Sequence, residues 1–240
     1  MFRTILMLAF WAVSLPVAAL IGFPWTYLTK DIDFLYNTCM SAMWTGVRIA
    51  GVKVRTVGLE KIDPSRTYIF MSNHISNLDP PITLPLIPRR SSVMVKKELF
   101  KVPILGRIML IGSLVPVDRR NRDAGITAVR DAVKAIDLGL NMTIYVEGKR
   151  SFDGKLLPFK KGPFYLAEEC HVPVVPITIS GTEAVMPKAR FAIRPGTVTV
   201  QFHDPIEPSD FGERECLMAR VRAAINGGLP PELREPPPEL

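Results

Sequence analysis

A chain of 240 residues is long enough for one sizeable α/β domain with its own core. Hydrophobic residues make up 48% of it and the formal net charge is +7, which excludes an acidic or low-hydropathy disordered chain. The positive balance fits anionic lipid headgroups, phosphorylated substrates or nucleic acid, and charge alone does not choose among them.

The chain opens on an apolar stretch. No charged residue lies between Arg3 and Lys30. About 20 such residues suffice to cross a bilayer core. Three readings compete here. One is a spanning helix; another is a cleaved signal peptide, with Arg3 as its positive start and Ala18-Ala19 near a cleavage point. The third is a bent, monotopic insertion, because Pro16 and Pro24 interrupt helical hydrogen bonding and Gly22 loosens the chain between them. The segment from Asp31 to Arg48 reads as an amphipathic helix, with Ile32, Leu35, Cys39, Ala42, Met43 and Gly46 on one face. Trp25, Tyr27 and Trp44 are side chains suited to a membrane interface. Residues 1–48 are therefore expected to form a two-helix membrane-docking motif, lying on the cytoplasmic face of the inner membrane.

After Gly51 short apolar runs alternate with helical stretches. Strands are expected at Val52–Val57, Tyr68–Met71, Ser92–Val95, Leu114–Val117, Met142–Val146, Val174–Ile179 and Thr197–Phe202. Helices are expected at Pro103–Ile111, Asp123–Leu138, Gly162–Glu169 and Asp210–Ile225. The alternation predicts an α/β fold with a mixed central sheet flanked by helices, over residues 49–228. Residues 229–240 are rich in Pro and Glu and are expected to form an exposed, poorly ordered tail.

Five of the apolar runs end in polar or charged residues: Ser72-Asn73-His74, Lys96-Lys97-Glu98, Asp118-Arg119-Arg120, Glu147-Gly148-Lys149-Arg150-Ser151 and Ser180-Gly181-Thr182. In open α/β sheets the ligand crevice lies at the carboxyl ends of parallel strands, so parallel pairing would gather these groups in one cleft. His74 is one of 3 histidines. An imidazole suits a general base near neutral pH, and a carboxylate on its second nitrogen fixes the tautomer. Asp79, five residues on, could supply that carboxylate across a turn, and Pro80-Pro81 argues against a regular helix through Asp79.

Asn73-His74-x-x-x-x-Asp79 resembles the first signature of the glycerolipid acyltransferases, in particular the 1-acylglycerol-3-phosphate acyltransferases. Three further blocks agree in order and spacing: Lys97-Glu98-Leu99 with Pro103 and Gly106, Glu147-Gly148-Lys149-Arg150-Ser151, and Val172-Pro173-Val174-Val175-Pro176. The resemblance covers about residues 50–205. It implies that His74 deprotonates the hydroxyl of lysophosphatidic acid, that Asp79 orients it, and that the acyl group comes from acyl-CoA or acyl carrier protein. It also implies that Glu147, Gly148 and Arg150 hold the acceptor phosphate, with Lys97 nearby. No cofactor or metal is expected beyond the thioester co-substrate. Two departures stand out: Val146 replaces the usual proline and Lys149 the usual threonine, which puts headgroup selectivity in question.

The 3 cysteines, Cys39, Cys170 and Cys216, have no metal-ligand spacing and are expected as free thiols. Cys170 beside His171 is not expected to act as a Cys–His pair. Lys160-Lys161 and Arg119-Arg120-Arg122 read as solvated charge runs. Rival readings are an acyltransferase using glycerol 3-phosphate or another lysolipid, and a non-catalytic lipid-binding membrane protein. Membrane phospholipids are the expected partners. Nucleic acid is not, because no recognition motif accompanies the positive charge.

Overall fold

The computed structural model describes residues 1–118, 122–188 and 190–236. Among these residues eight α-helices and seven strands occur in this order: α1 Phe2–Thr29, α2 Asp33–Ile49, β1 Val52–Val57, β2 Ile69–Ser72, α3 Asp79–Thr83, β3 Ser91–Lys96, α4 Leu105–Ile111, β4 Val115–Val117, α5 Arg122–Asp137, β5 Asn141–Tyr145, α6 Gly162–Cys170, β6 Val174–Ser180, α7 Thr182–Val185, β7 Gly196–Phe202 and α8 Arg214–Gly228. All seven expected strands are present, with ends shifted by no more than a residue or so.

The strands form one sheet in the order β1-β7-β6-β2-β5-β3-β4. β2 pairs in parallel with both β5 and β6, β5 with β3, and β3 with β4. β7 runs antiparallel to β6 and parallel to β1, so the sheet is mixed. The five strands with polar ends all point the same way, and their carboxyl ends share one edge.

Two apolar layers cover the sheet. Phe70, Val175, Ile177 and Val198 face one side, where Val47 of α2 and Leu78 and Ile82 around α3 pack on them. Ile69, Met71, Met142, Ile144 and Val174 face the other, against α5, α6 and α8 through Ala132, Phe164, Leu166, Leu217 and Val221. Burial on both faces explains why β2 and β6 read as continuous apolar runs rather than alternating ones.

The chain stays α-helical through Pro16 and Pro24. The expected break at these residues does not occur, because packing against α2 holds the helix. Trp11 Nε1 donates to Ala42 O at 3.0 Å. Gly22 serves close approach rather than looseness: a Cβ there would lie 2.6 Å from Leu35 Cδ1. Residues Leu35, Cys39, Ala42 and Gly46 of α2 are buried, as the periodicity predicts, with Val47 added.

Residues 230–236 are exposed or half-buried, as expected, but the tail is tied to the domain. Leu229 is fully buried, and Arg222 of α8 pairs with Glu235. Glu235 N also donates to Asn226 Oδ1 at 2.8 Å, which closes the end of the described chain onto α8. Pro237–Leu240, and Arg119, Arg120 and Asn121, lie outside the described residues.

Candidate active site

Register builds the site. Ser72, the last residue of β2, lies between Tyr145 of β5 and Ile177 of β6. The loop that follows continues the pairing with side chains. Asn73 Nδ2 donates to Ile179 O, and Ile179 N donates to Asn73 Oδ1, both at 2.8 Å. A fully buried Asn thus extends the β2–β6 ladder by one step and fixes where His74 emerges.

His74 Nδ1–H donates to Asp79 Oδ2 at 2.7 Å. The same oxygen accepts the backbone N–H groups of Ile75 and Ser76, at 2.7 and 2.8 Å. Asp79 is therefore both the partner of the imidazole and the anchor of the loop between them. It opens α3, with Pro80 and Pro81 in the first turn, where the missing N–H groups cost nothing. The prolines permit a helix that begins at Asp79. The five-residue spacing closes because residues 75–78 form a turn outside the helix. Asp79 Oδ1 is buried and has no hydrogen-bond partner among the described residues.

The His74 ring stacks on Tyr145, with centroids 4.3 Å apart and planes 28° apart. His74 is 8% exposed. Among the described residues no hydrogen bond engages Nε2. With Nδ1–H donating to a carboxylate oxygen, the neutral ring carries its lone pair on Nε2.

Glu147 is turned into the protein. It is 1% exposed, and its two oxygens accept His74 N–H at 3.0 Å and Leu157 N–H at 3.1 Å. Burial above all pushes its carboxyl up to about 7, opposed by those two hydrogen bonds. The resemblance implies a place for Glu147 at the acceptor phosphate; in this structure its side chain ties the loop after β2 to the turn after β5. Gly148 has φ +68, a left-handed turn that Gly adopts without strain, and a Cβ there would meet the Lys160 side chain. Beyond it the chain swings out. Ser151 N donates to His74 O at 2.7 Å.

Arg150 is half-buried and Lys149 exposed, and among the described residues no carboxylate lies within ion-pair distance of either. Lys97, in the turn that follows β3, is paired with Asp118, and β3 lies two strands from β2. The cluster that sequence reasoning gathered therefore divides. His74 and Asp79 meet, Glu147 braces them from behind, Arg150 stands at the rim, and Lys97 pairs with Asp118.

Asn73, Ser76, Tyr145 and Lys188 belong to the same neighbourhood and were not singled out as site residues. Ser76 Oγ donates to Met186 O at 2.7 Å, and Lys188 Nζ to Arg150 O at 2.6 Å. Asn73 and Ser76 sit within the first signature block, which was the available signal. Nothing in the pattern marks Tyr145 or Lys188.

The other titratable candidates have structural settings. The Cys170 thiol is pushed up to about 11 by burial, then by Asp137 and Glu169, so it is no thiolate nucleophile. His203 Nε2 lies 2.8 Å from Thr178 Oγ1, and burial lowers the imidazole to about 4.

Comparison with known proteins agrees with this geometry. A family model described as acyltransferase matches residues 53–180. The 1-acyl-sn-glycerol-3-phosphate acyltransferase of Limnanthes douglasii is 32% identical over 201 residues, 83% of this chain and 70% of the relative. The beta enzyme of the same name from Homo sapiens is 32% identical over 160 residues, 66% of this chain and 58% of the relative. The crystal structure of the 1-acyl-sn-glycerophosphate acyltransferase PlsC from Thermotoga maritima matches with a TM-score of 0.78 at 26% identity, covering 95% of each chain. With its family signature over more than half its length and a dyad at the sheet edge, the chain belongs to the acyltransferase family.

Proposed function

We propose that this enzyme transfers a fatty acyl group from acyl-CoA or acyl–acyl carrier protein to the free hydroxyl of 1-acylglycerol 3-phosphate, giving phosphatidic acid. The observation that carries the reading is the buried His74–Asp79 dyad beside cations that have no acidic partner among the described residues. The relatives named above act in that way by their names, and the fold agrees.

The chemistry follows from the geometry. His74 Nε2 takes the proton of the acceptor hydroxyl as its oxygen attacks the thioester carbonyl carbon. Asp79 stabilises the imidazolium that forms. The tetrahedral intermediate collapses, the C–S bond breaks, and the leaving thiolate takes the proton back from Nε2–H. Arg150 holds the acceptor phosphate, with a planar fork suited to bidentate contact. No cofactor enters this sequence.

We place the enzyme on the cytoplasmic face of the inner membrane, docked rather than spanning. α1 is long and apolar enough to cross a bilayer. Two contacts support docking. Thr4 Oγ1 accepts Ile193 N–H at 2.8 Å near one end, and Leu15 and Phe23 pack in a cluster with Ile108 and Ile111 of α4 towards the other. A helix packed on the domain from Thr4 to Phe23 lies along it. Its outer face exposes Ile5, Val13, Val17, Leu20, Ile21 and Leu28.

The test is an acyl-transfer assay with purified protein, labelled acyl-CoA or acyl carrier protein, and a panel of lysolipids plus glycerol 3-phosphate. Phosphatidic acid should be the main product, and His74→Ala should lower turnover about 10²–10⁴-fold without unfolding the chain. Folded His74→Ala protein with near-wild-type turnover would refute the mechanism.

A further inference from the structure

β2 lies between β5 and β6, so the loop carrying His74 is flanked by the turn after β5 and by the segment after β6. Hydrogen bonds stitch the three together. Ser151 N donates to His74 O, Ser76 Oγ to Met186 O, and Lys188 Nζ to Arg150 O. Lys188 is held in a second way: its ammonium stands 3.6 Å from the centroid of the Phe152 ring. It thus reaches across from the segment after β6 to stand beside Arg150 at the rim of the site, and it lies beyond the residues that the family model matches.

This placement costs energy in the free protein. Lys149, Arg150 and Lys188 are like charges gathered at one rim, and among the described residues no carboxylate lies within ion-pair distance of any of them. Glu147 is near, but its carboxyl is buried and turned to backbone N–H groups. Lys188 registers the crowding. Its pKa is lowered, by lost hydration first and then by Arg150 and Lys149. Its ammonium gives one N–H to Arg150 O and has two more to offer. Cations kept together without acidic partners are what a multiply charged anion requires.

We propose that Lys188 is a third cation for the acceptor phosphate and makes the site selective for phosphomonoester over phosphodiester lysolipids. The inference rests on the acyltransferase reading above and names the headgroup class it takes. A phosphomonoester is nearly dianionic at neutral pH and offers three terminal oxygens, enough for a guanidinium fork and an ammonium together. A phosphodiester offers two oxygens and one charge. An amino-alcohol substituent would also bring a cation against Lys149, Arg150 and Lys188.

The experiment uses the full chain and two variants. Lys188→Met keeps a stem over Phe152 and loses the charge. Lys188→Arg keeps the charge. Acyl transfer is measured with 1-acylglycerol 3-phosphate and with 1-acylglycerophosphocholine, and binding of glycerol 3-phosphate by calorimetry. In Lys188→Met the phosphomonoester KM should rise about ten- to a hundredfold, the size of a charge-assisted contact. Selectivity over the diester should fall in step, glycerol 3-phosphate should bind correspondingly more weakly, and donor KM should stay within about twofold. Lys188→Arg should restore most of the loss. Unchanged phosphomonoester KM and unchanged glycerol 3-phosphate affinity in folded Lys188→Met would overturn the role. An equal loss for both acceptors and the donor would also overturn it, showing a mere strap between loops. If the wild-type protein acylates no lysolipid, the functional reading itself fails, and the binding measurement still decides whether Lys188 holds a phosphate.

Discussion

Replacing Asp79 by Asn separates two jobs that a carboxylate beside a histidine can do. One is to fix the tautomer and the other is to stabilise the imidazolium. In this chain a single oxygen, Oδ2, takes all three donors: His74 Nδ1–H, Ile75 N–H and Ser76 N–H. An amide oxygen can occupy that place and keep all three. The opposite orientation would press an NH2 group against three donors, so it is disfavoured. The tautomer should therefore survive, with Nε2 still the base. What is lost is the negative charge facing the imidazolium in the transition state. A hydrogen bond to a charged group contributes about 1.5–3 kcal/mol, so kcat should fall about 10- to 150-fold with acceptor KM nearly unchanged. That is well short of the roughly 10⁴-fold loss that a flipped tautomer causes in the serine protease triad. The new NH2 lands where Oδ1 now lies buried without a partner, which should cost about 1–3 kcal/mol of stability. Steady-state kinetics, thermal unfolding and nitrogen NMR of the imidazole together read these effects. A variant within about threefold of wild-type kcat would refute the charge argument. A far larger loss, with the NMR showing the other tautomer, would refute the single-oxygen geometry.

Glu147 makes stability depend on pH in a defined direction. Its folded carboxyl is pushed from 4.5 up to about 7, so the folded state is favoured below about 4.5 and that advantage is lost as pH rises through about 7. The shift is worth about 3 kcal/mol, and Glu147→Gln should abolish this part of the slope. Denaturant unfolding from pH 4.5 to 8, read as the difference between variant and wild type, checks it and cancels the contribution of His203; parallel slopes would contradict the assignment. At the membrane, changing Leu20 and Leu28 on the exposed face of α1 to Lys should weaken sedimentation with anionic vesicles at least about tenfold, since a Lys replacing Leu costs a few kcal/mol in an apolar phase, and unaltered binding would rule α1 out as the docking face. With exposed Cys216 changed to Ser, a Phe2→Cys probe should react only from the cytoplasmic side, whereas labelling from outside would indicate a spanning helix.

Position along the sheet edge was legible in the sequence because burial writes itself plainly. Strands covered on both faces appear as unbroken apolar runs, and each run stops where its polar segment begins. What pattern cannot supply is strand direction. β1 and β7 look like the other strands, yet they run opposite to β2–β6. Their ends therefore fall at the far edge and contribute nothing to the site. The first helix misled for a different reason. Pro16 and Pro24 break a helix that stands alone, and local sequence does not reveal that α2 holds this one in place. The tail misled in the same way. Its Pro and Glu content describes an unpartnered segment, while Arg222, thirteen residues before Glu235 on α8, gives it a partner.

Side-chain direction was the harder limit at the site. Glu147, Lys149 and Arg150 stand within four residues, and as a block they suggest one shared task. Gly148 divides them. Its positive φ reverses the chain between Glu147 and Arg150, so the acid turns into the core and the bases turn out to the rim. That separation is what lets an acid and two bases share one turn without neutralising each other. Glu147 spends its oxygens on the backbone of His74 and Leu157, which sets the height of the imidazole above the sheet. Asp79 likewise spends Oδ2 on backbone as well as on the ring. Both carboxylates near the base are thus committed to the frame of the site. The positive field at its rim is left uncompensated until an anionic substrate arrives.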